Sequence, residues 1–255
     1  MLVALKRIFK RSLMPHIYNN FLITKDSREL RKLVSFYNIR FNYTDYKLKP
    51  GEAWQICRSA TRLNADLWKS INPKTEEEVN LFYKITLFYI FESTYVWMDS
   101  EHRRFLKKIL RHVKGKVLDY GGGIGRVALF LSTAGLEAYY TDVPGITKDF
   151  AEFLFKGSKV RVLNQLDPEV KFDTIVCREV IEHVLNPEAV LKDVAGRLNK
   201  GGNLIITNLD CQGPTEDSPM HFKVNIDYEG ILNSVGIYRV TSEKWLWQKA
   251  DSRYS

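Results

Sequence analysis

Apolar positions in the first half of the chain recur every three or four residues. Leu2, Leu5, Phe9 and Leu13 follow this spacing with Lys6, Arg7, Lys10 and Arg11 between them, and Pro15 ends the pattern. Further helices are expected over residues 26–37 and, after the Pro50-Gly51 punctuation, over residues 51–71. Thr75 followed by Glu78 fits a capping box, in which each side chain takes the other's backbone N–H. The helix it starts is predicted to run unbroken through an aromatic stretch containing Phe82, Tyr83, Phe88, Tyr89, Phe91, Tyr95 and Trp97. Residues 100–113 continue helically, with Phe105, Leu106, Ile109 and Leu110 as the apolar face.

From residue 116 short apolar runs alternate with helical patterns. Strands are predicted at 117–120, 138–141, 160–163, 172–177 and 203–208, the last entered through a Gly201-Gly202 turn. Helices are predicted at 126–134, 148–155, 187–198 and 228–235, and a strand pair at 237–242 and 245–248. Strands separated by helices of this length imply a mostly parallel sheet covered on both faces. The chain therefore divides near Gly115, into a helical segment over 1–114 and an α/β segment over 115–255.

The sequence Asp119-Tyr120-Gly121-Gly122-Gly123-Ile124-Gly125 joins the first strand to its helix. Glycines let the backbone approach a ligand closely, and the helix that follows offers free N–H groups. Ligands of open α/β sheets bind at the carboxyl ends of the strands. Asp142 ends the next strand, where a carboxylate suits a ribose diol. The dinucleotide pattern G-x-G-x-x-G is not met, because Arg126 stands at its sixth position.

The spacing D-x-G-x-G-x-G after a strand resembles motif I of class I S-adenosylmethionine (SAM) methyltransferases. Residues 172–184 resemble the family's fourth-strand region, and the elements after them follow in family order, so the resemblance covers roughly residues 112–242. It implies a Rossmann-like α/β sheet with an antiparallel last strand, here preceded by an α-helical extension. It further implies SAM held by Asp119, Gly121, Gly122, Gly123, Gly125 and Asp142. Asn164 and Gln165 replace the usual acid of the third-strand loop, and with Arg178 they complete the expected cofactor contacts.

Glu179, Glu182 and His183 occupy i, i+3 and i+4, which on a helix would project to one side of the site mouth. His221 lies in the polar loop 210–225 after the fifth strand. Two carboxylates and two imidazoles form a candidate divalent-metal set, and a metal would lower the pKa of an acceptor hydroxyl. Ubiquinone-biosynthesis O-methyltransferases, which use magnesium, resemble this E-x-x-E-H pattern, and so do small-RNA 2′-O-methyltransferases. Two other readings stand beside it. Glu182 and His183 can cap a helix and line the cofactor pocket, or His183, His221 and Glu179 can act without metal in acid–base roles. Arg178 pairing with Glu179 would count against the metal. Met220, His221 and Phe222 are expected near substrate, the alternative being a surface loop with Phe222 buried. Tyr83, Tyr95 and Trp97 are the cap residues expected to recognise it, although aromatics at this spacing more often form core.

Charge changes this picture only at the start of the chain. The 255 residues carry a net +8, and the first 50 hold eleven basic against three acidic residues, so the rest is balanced. That distribution excludes a fold-wide nucleic-acid surface. Residues 1–14 combine apolar spacing with four cations, which suits an anionic membrane surface, a phosphate-rich ligand or a solvated helix. The absence of long apolar runs and the three scattered cysteines point to a cytoplasmic protein, with peripheral membrane contact through residues 1–14 as an option. The expected activity is methyl transfer to a hydroxyl of a small molecule, lipid or glycan. RNA 2′-O-methylation through the basic segment and a non-catalytic SAM-binding scaffold are the rival readings.

Overall fold

The computed structural model describes residues 28–251, so the amphipathic pattern over 1–14 lies outside the described residues. Among the described residues, five helices come first: α1 (Arg28–Arg40), α2 (Pro50–Ile71), α3 (Glu76–Ile85), α4 (Phe88–Met98) and α5 (Ser100–Leu110). Pro50 opens α2, whose missing N–H costs nothing in the first turn, and Asn72 closes it in the left-handed conformation at φ 50°. At the start of α3 the Glu78 N–H donates to Thr75 Oγ1 and the Thr75 N–H donates to Glu78 Oε2, the capping box expected there.

The unbroken helix expected through the aromatic stretch is corrected by Thr86. Its backbone turns extended at ψ 107°, and its buried hydroxyl donates to Asn64 Oδ1 at 2.9 Å. Asn64 Nδ2 in turn donates to the Glu92 carboxylate of α4. A β-branched residue with a partner on the neighbouring helix gains more from that bond than from continuing the helix.

The α/β half then runs β1 (Lys116–Tyr120), α6 (Arg126–Thr133), β2 (Glu137–Thr141), α7 (Ile146–Phe155), β3 (Arg161–Val162), β4 (Phe172–Cys177), a 3-10 turn (Ile181–His183), α8 (Pro187–Arg197), β5 (Leu198–Ile206), α9 (Tyr228–Ser234), β6 (Ile237–Arg239) and β7 (Leu246–Lys249). These strands form one sheet in the order β3-β2-β1-β4-β5-β7-β6. Strands β1 to β5 are parallel, while β7 runs antiparallel to both neighbours. The Gly201-Gly202 turn expected before the fifth strand lies within it instead. A step of two residues from Phe172 to Thr174 on β4 faces a step of five from Leu198 to Asn203 on β5, so the glycines form a bulge in a continuous strand.

Alternation sorts the central strands onto two faces. Leu118, Ile175 and Leu204 pack against Leu191, Val194 and Leu232 of α8 and α9, while Val117, Val176 and Ile205 pack against Leu106, Ile109 and Leu131 of α5 and α6. A further cluster joins the two halves of the chain: Leu33, Phe36, Ile56, Ala60 and Phe91 of the early helices share a core with Ile124, Phe150 and Leu154. Glu29 of α1 adds an ion pair to Arg126, the buried first residue of α6. Helices α1, α2 and α4 thus sit as a cap over the glycine loop and α7. Among the described residues no helix is long and apolar enough to cross a membrane.

Candidate active site

The buried strand β1 delivers Asp119 to the start of the glycine loop, where its Oδ2 accepts the Ala128 N–H at 2.9 Å. Burial pushes the Asp119 carboxyl up to about 7. Two glycines of the loop are required for different reasons. At Gly125 (φ +71°) a Cβ would stand 2.3 Å from the Phe155 ring, so the residue permits close packing. At Gly123 (φ +55°) the nearest atom to such a Cβ is on the Tyr89 ring at 3.9 Å, so its bare backbone faces open space. Asp142, expected to face a ribose, turns its oxygens to the backbone: Oδ2 accepts the Gly123 N–H at 2.5 Å and Oδ1 the Val143 N–H at 2.7 Å. Burial holds its carboxyl up at about 6. Tyr140 donates its hydroxyl to the Gly123 carbonyl at 2.6 Å, completing the support of the loop.

A crevice of about 310 Å³ opens beside this loop. Asp119, Gly121, Gly122 and Gly123 of the loop line it. Tyr83, Tyr89, Glu92 and Trp97 of the cap line it as well. Arg178, Glu179, His183 and His221 complete its polar lining.

The E-x-x-E-H residues do not share a helix face. Glu179 is left-handed at φ 55°, and only the short 3-10 turn carries Glu182 and His183. The cause is the end of β5: the Glu179 N–H donates to Thr207 Oγ1 at 3.0 Å, and Asn208 Nδ2 donates to both Glu179 and Glu182. Glu182 is wholly buried, its Oε2 has no hydrogen-bond partner, and burial pushes its carboxyl up to about 7. His183 Nδ1 lies 2.7 Å from the Tyr83 hydroxyl. Burial pushes this imidazole down to about 3, with the neighbouring His221 adding to the effect. The His221 ring meets it edge-on, with centroids 4.8 Å apart, and is itself pushed down by burial against the opposing charges of Glu179 and Glu92.

Donor atoms of Glu182, His183 and His221 lie within 4.8 Å of one another, and Glu179 stands outside this group. Magnesium asks for a near-octahedral shell dominated by oxygen. One carboxylate already bonded to Asn208 and two imidazoles, one of them bonded to Tyr83, do not fit that ion.

The remaining expected residues are divided. Arg178 reaches the crevice, 3.7 Å from Glu179 and stacked over the Phe105 ring at 5.2 Å. Asn164 and Gln165 are exposed beyond the end of β3, outside the crevice lining. Trp97 lines the crevice, whereas Tyr95 is 43% exposed and packs on Trp54. Met220 is buried with Trp68, Val79 and Phe82, and Phe222 packs against the same cluster, so the loop is stapled to the cap. Tyr89, Glu92, His102 and Arg126 were not foreseen as crevice residues. The signal for two of them lay in α4: Tyr89 and Glu92 are three apart, on a different face from the buried Phe88 and Phe91.

Residues 94–251 match the family model described as a methyltransferase domain. A tRNA U34 carboxymethyltransferase from Campylobacter hominis is 29% identical over 140 residues, covering 49% of this chain and 49% of the relative. A ubiquinone biosynthesis O-methyltransferase from Xanthomonas euvesicatoria pv. vesicatoria is 33% identical over 110 residues, covering 37% of this chain and 43% of the relative. The chain thus spans about half the length of the curated relatives it matches. A solved O-methyltransferase family protein from Burkholderia thailandensis superposes with a TM-score of 0.55 at 15% identity, covering 79% of this chain and 73% of that one, a likeness of fold. The family match over most of the chain, the strand order with its antiparallel β7, and the glycine loop between Asp119 and Asp142 agree: the chain belongs to the methyltransferase-domain family of class I SAM-dependent methyltransferases.

Proposed function

We propose that this chain methylates a hydroxyl group on a small molecule, lipid or glycan. The observation that carries the reading is the crevice itself, whose lining brings the open face of Gly123, His183 and His221 together with Tyr83, Tyr89 and Trp97 of the cap. The bare loop backbone, Asp119 and the electron-rich face of Tyr89 are the groups that would hold SAM, whose sulfonium attracts an aromatic face. When bound, SAM would supply an electrophilic methyl on a positive sulfur, which would keep the electron pair of the broken carbon–sulfur bond. The imidazoles would take the proton that the acceptor hydroxyl loses on gaining that methyl. Both imidazoles are pushed down by burial, so both are neutral near pH 7. Positioning under the cap, which excludes water, supplies most of the acceleration.

The crevice volume of about 310 Å³ suits a compact acceptor or the end of a longer one. The test supplies the full chain with methyl-tritiated SAM and separated cell fractions. Label in the small-molecule, lipid or glycan fraction supports the proposal. Label confined to total RNA favours the RNA 2′-O-methyltransferase reading, to which the basic residues of the first 50 and the named tRNA relative would then belong. S-adenosylhomocysteine binding with no label in any fraction favours a scaffold.

A further inference from the structure

Building on that reading, we propose that the two histidines divide the work: His183 is a positioning residue locked in one tautomer between the cap and the β5–α9 loop, and His221 alone takes the acceptor's proton. Tyr83 sits among Trp68, Phe82 and Tyr89, and burial keeps its hydroxyl protonated, so it has a hydrogen to give. That hydroxyl lies 2.7 Å from His183 Nδ1. The other ring nitrogen, Nε2, lies 3.9 Å from Glu182 Oε1, and the Met220 backbone carbonyl beside the ring can only accept. A neutral imidazole has one N–H and one lone pair. Placing the N–H at Nε2, toward these acceptors, leaves the Nδ1 lone pair for Tyr83. His183 therefore has no lone pair left for a substrate proton.

His221 differs on each point. Among the described residues none hydrogen-bonds to its imidazole. It is half-buried and opens to the crevice, with Glu179 and Glu92 as the charges that would steady the imidazolium formed on proton transfer. Its own position follows from His183: the two rings pack edge to face, and the Phe222 N–H, one residue on, donates to the Glu182 carbonyl at 2.6 Å. Tyr83 thus makes the alignment of the proton acceptor depend on a docked cap.

Two measurements on the full chain test this without SAM or an acceptor, so they stand apart from the activity reading. Long-range proton–nitrogen spectra of histidine-labelled protein, assigned with His183→Gln, should show His183 protonated at Nε2 with Nδ1 as a hydrogen-bonded acceptor. Tyr83→Phe should shift the Nδ1 signal toward that of a free acceptor. Diethylpyrocarbonate followed by peptide mass analysis should modify His221 and spare His183 in the wild type, and Tyr83→Phe should end the protection. An Nδ1–H tautomer, or His183 modified as readily as His221 in the wild type, overturns the proposal. The modification pattern is a purely wild-type measurement, so a variant that fails to fold does not leave the question open.

Discussion

The Gly123 N–H donates to the Asp142 carboxylate at 2.5 Å, joining the glycine loop after β1 to the end of β2. This bond sets the loop before any ligand arrives. Replacing Asp142 by alanine removes a hydrogen bond to a charged group, worth about 1.5–3 kcal/mol. S-adenosylhomocysteine affinity is then expected to fall by roughly ten- to a hundredfold. Asp142→Asn keeps an acceptor oxygen and should restore part of that loss. Calorimetric titration of the three proteins checks the order.

Gly123 and Gly125 separate binding from folding. Gly125→Ala meets the Phe155 ring and strains a left-handed backbone, an overpacking expected to cost about 3 kcal/mol and lower the melting temperature by roughly 6–12 °C. Gly123→Ala meets nothing nearer than 3.9 Å, so only about 1 kcal/mol of backbone strain is expected. Its methyl enters the space over which the cofactor should lie. Melting curves should therefore single out Gly125→Ala, while a binding titration should show Gly123→Ala failing in a folded protein.

Glu182 gives a pH signature. Its folded-state value of about 7 lies above the ordinary 4.5, so the native state holds the proton between those values and the unfolded chain does not. Stability from this group is present at low pH and is lost as pH rises toward 7. Glu182→Gln mimics the neutral acid at every pH. The variant should gain stability relative to wild type as pH rises from 5 to 8, reaching its full advantage above about 7. Denaturant unfolding of both proteins across that range is the check, and a constant difference would oppose the assignment.

The Asn64 bridge ties α2 to both Thr86 and Glu92. Asn64→Ala strands two polar groups, one of them wholly buried, and is expected to cost about 2–4 kcal/mol. Thr86→Val keeps the shape and strands only the Asn64 Oδ1 acceptor, so about 1–3 kcal/mol is expected. Chemical denaturation of the two variants should rank them in this order.

Much of the architecture could be read from local pattern. The glycine loop with Asp119 and Asp142, the Thr75–Glu78 box and the alternation from β1 to β5 are all written over a few neighbouring residues. Other features depend on distant partners. The helix breaks at Thr86 because Asn64, 22 residues earlier, receives its hydroxyl. Glu179 leaves helical geometry because Thr207 and Asn208 hold it from the end of β5. Tyr83 reaches His183 across 100 residues, and periodicity carries no information on such a meeting. Spacing alone thus singled out Glu179, Glu182 and His183 but put them on a helix face that does not exist.

SAM is expected to sit on the glycine loop beneath the cap. Isothermal titration of the full chain with S-adenosylhomocysteine tests it most directly. Saturable one-to-one binding in the micromolar range, lost in Gly123→Ala and weakened in Asp142→Ala, is the predicted result. Wild-type protein that shows no binding up to millimolar ligand would contradict it.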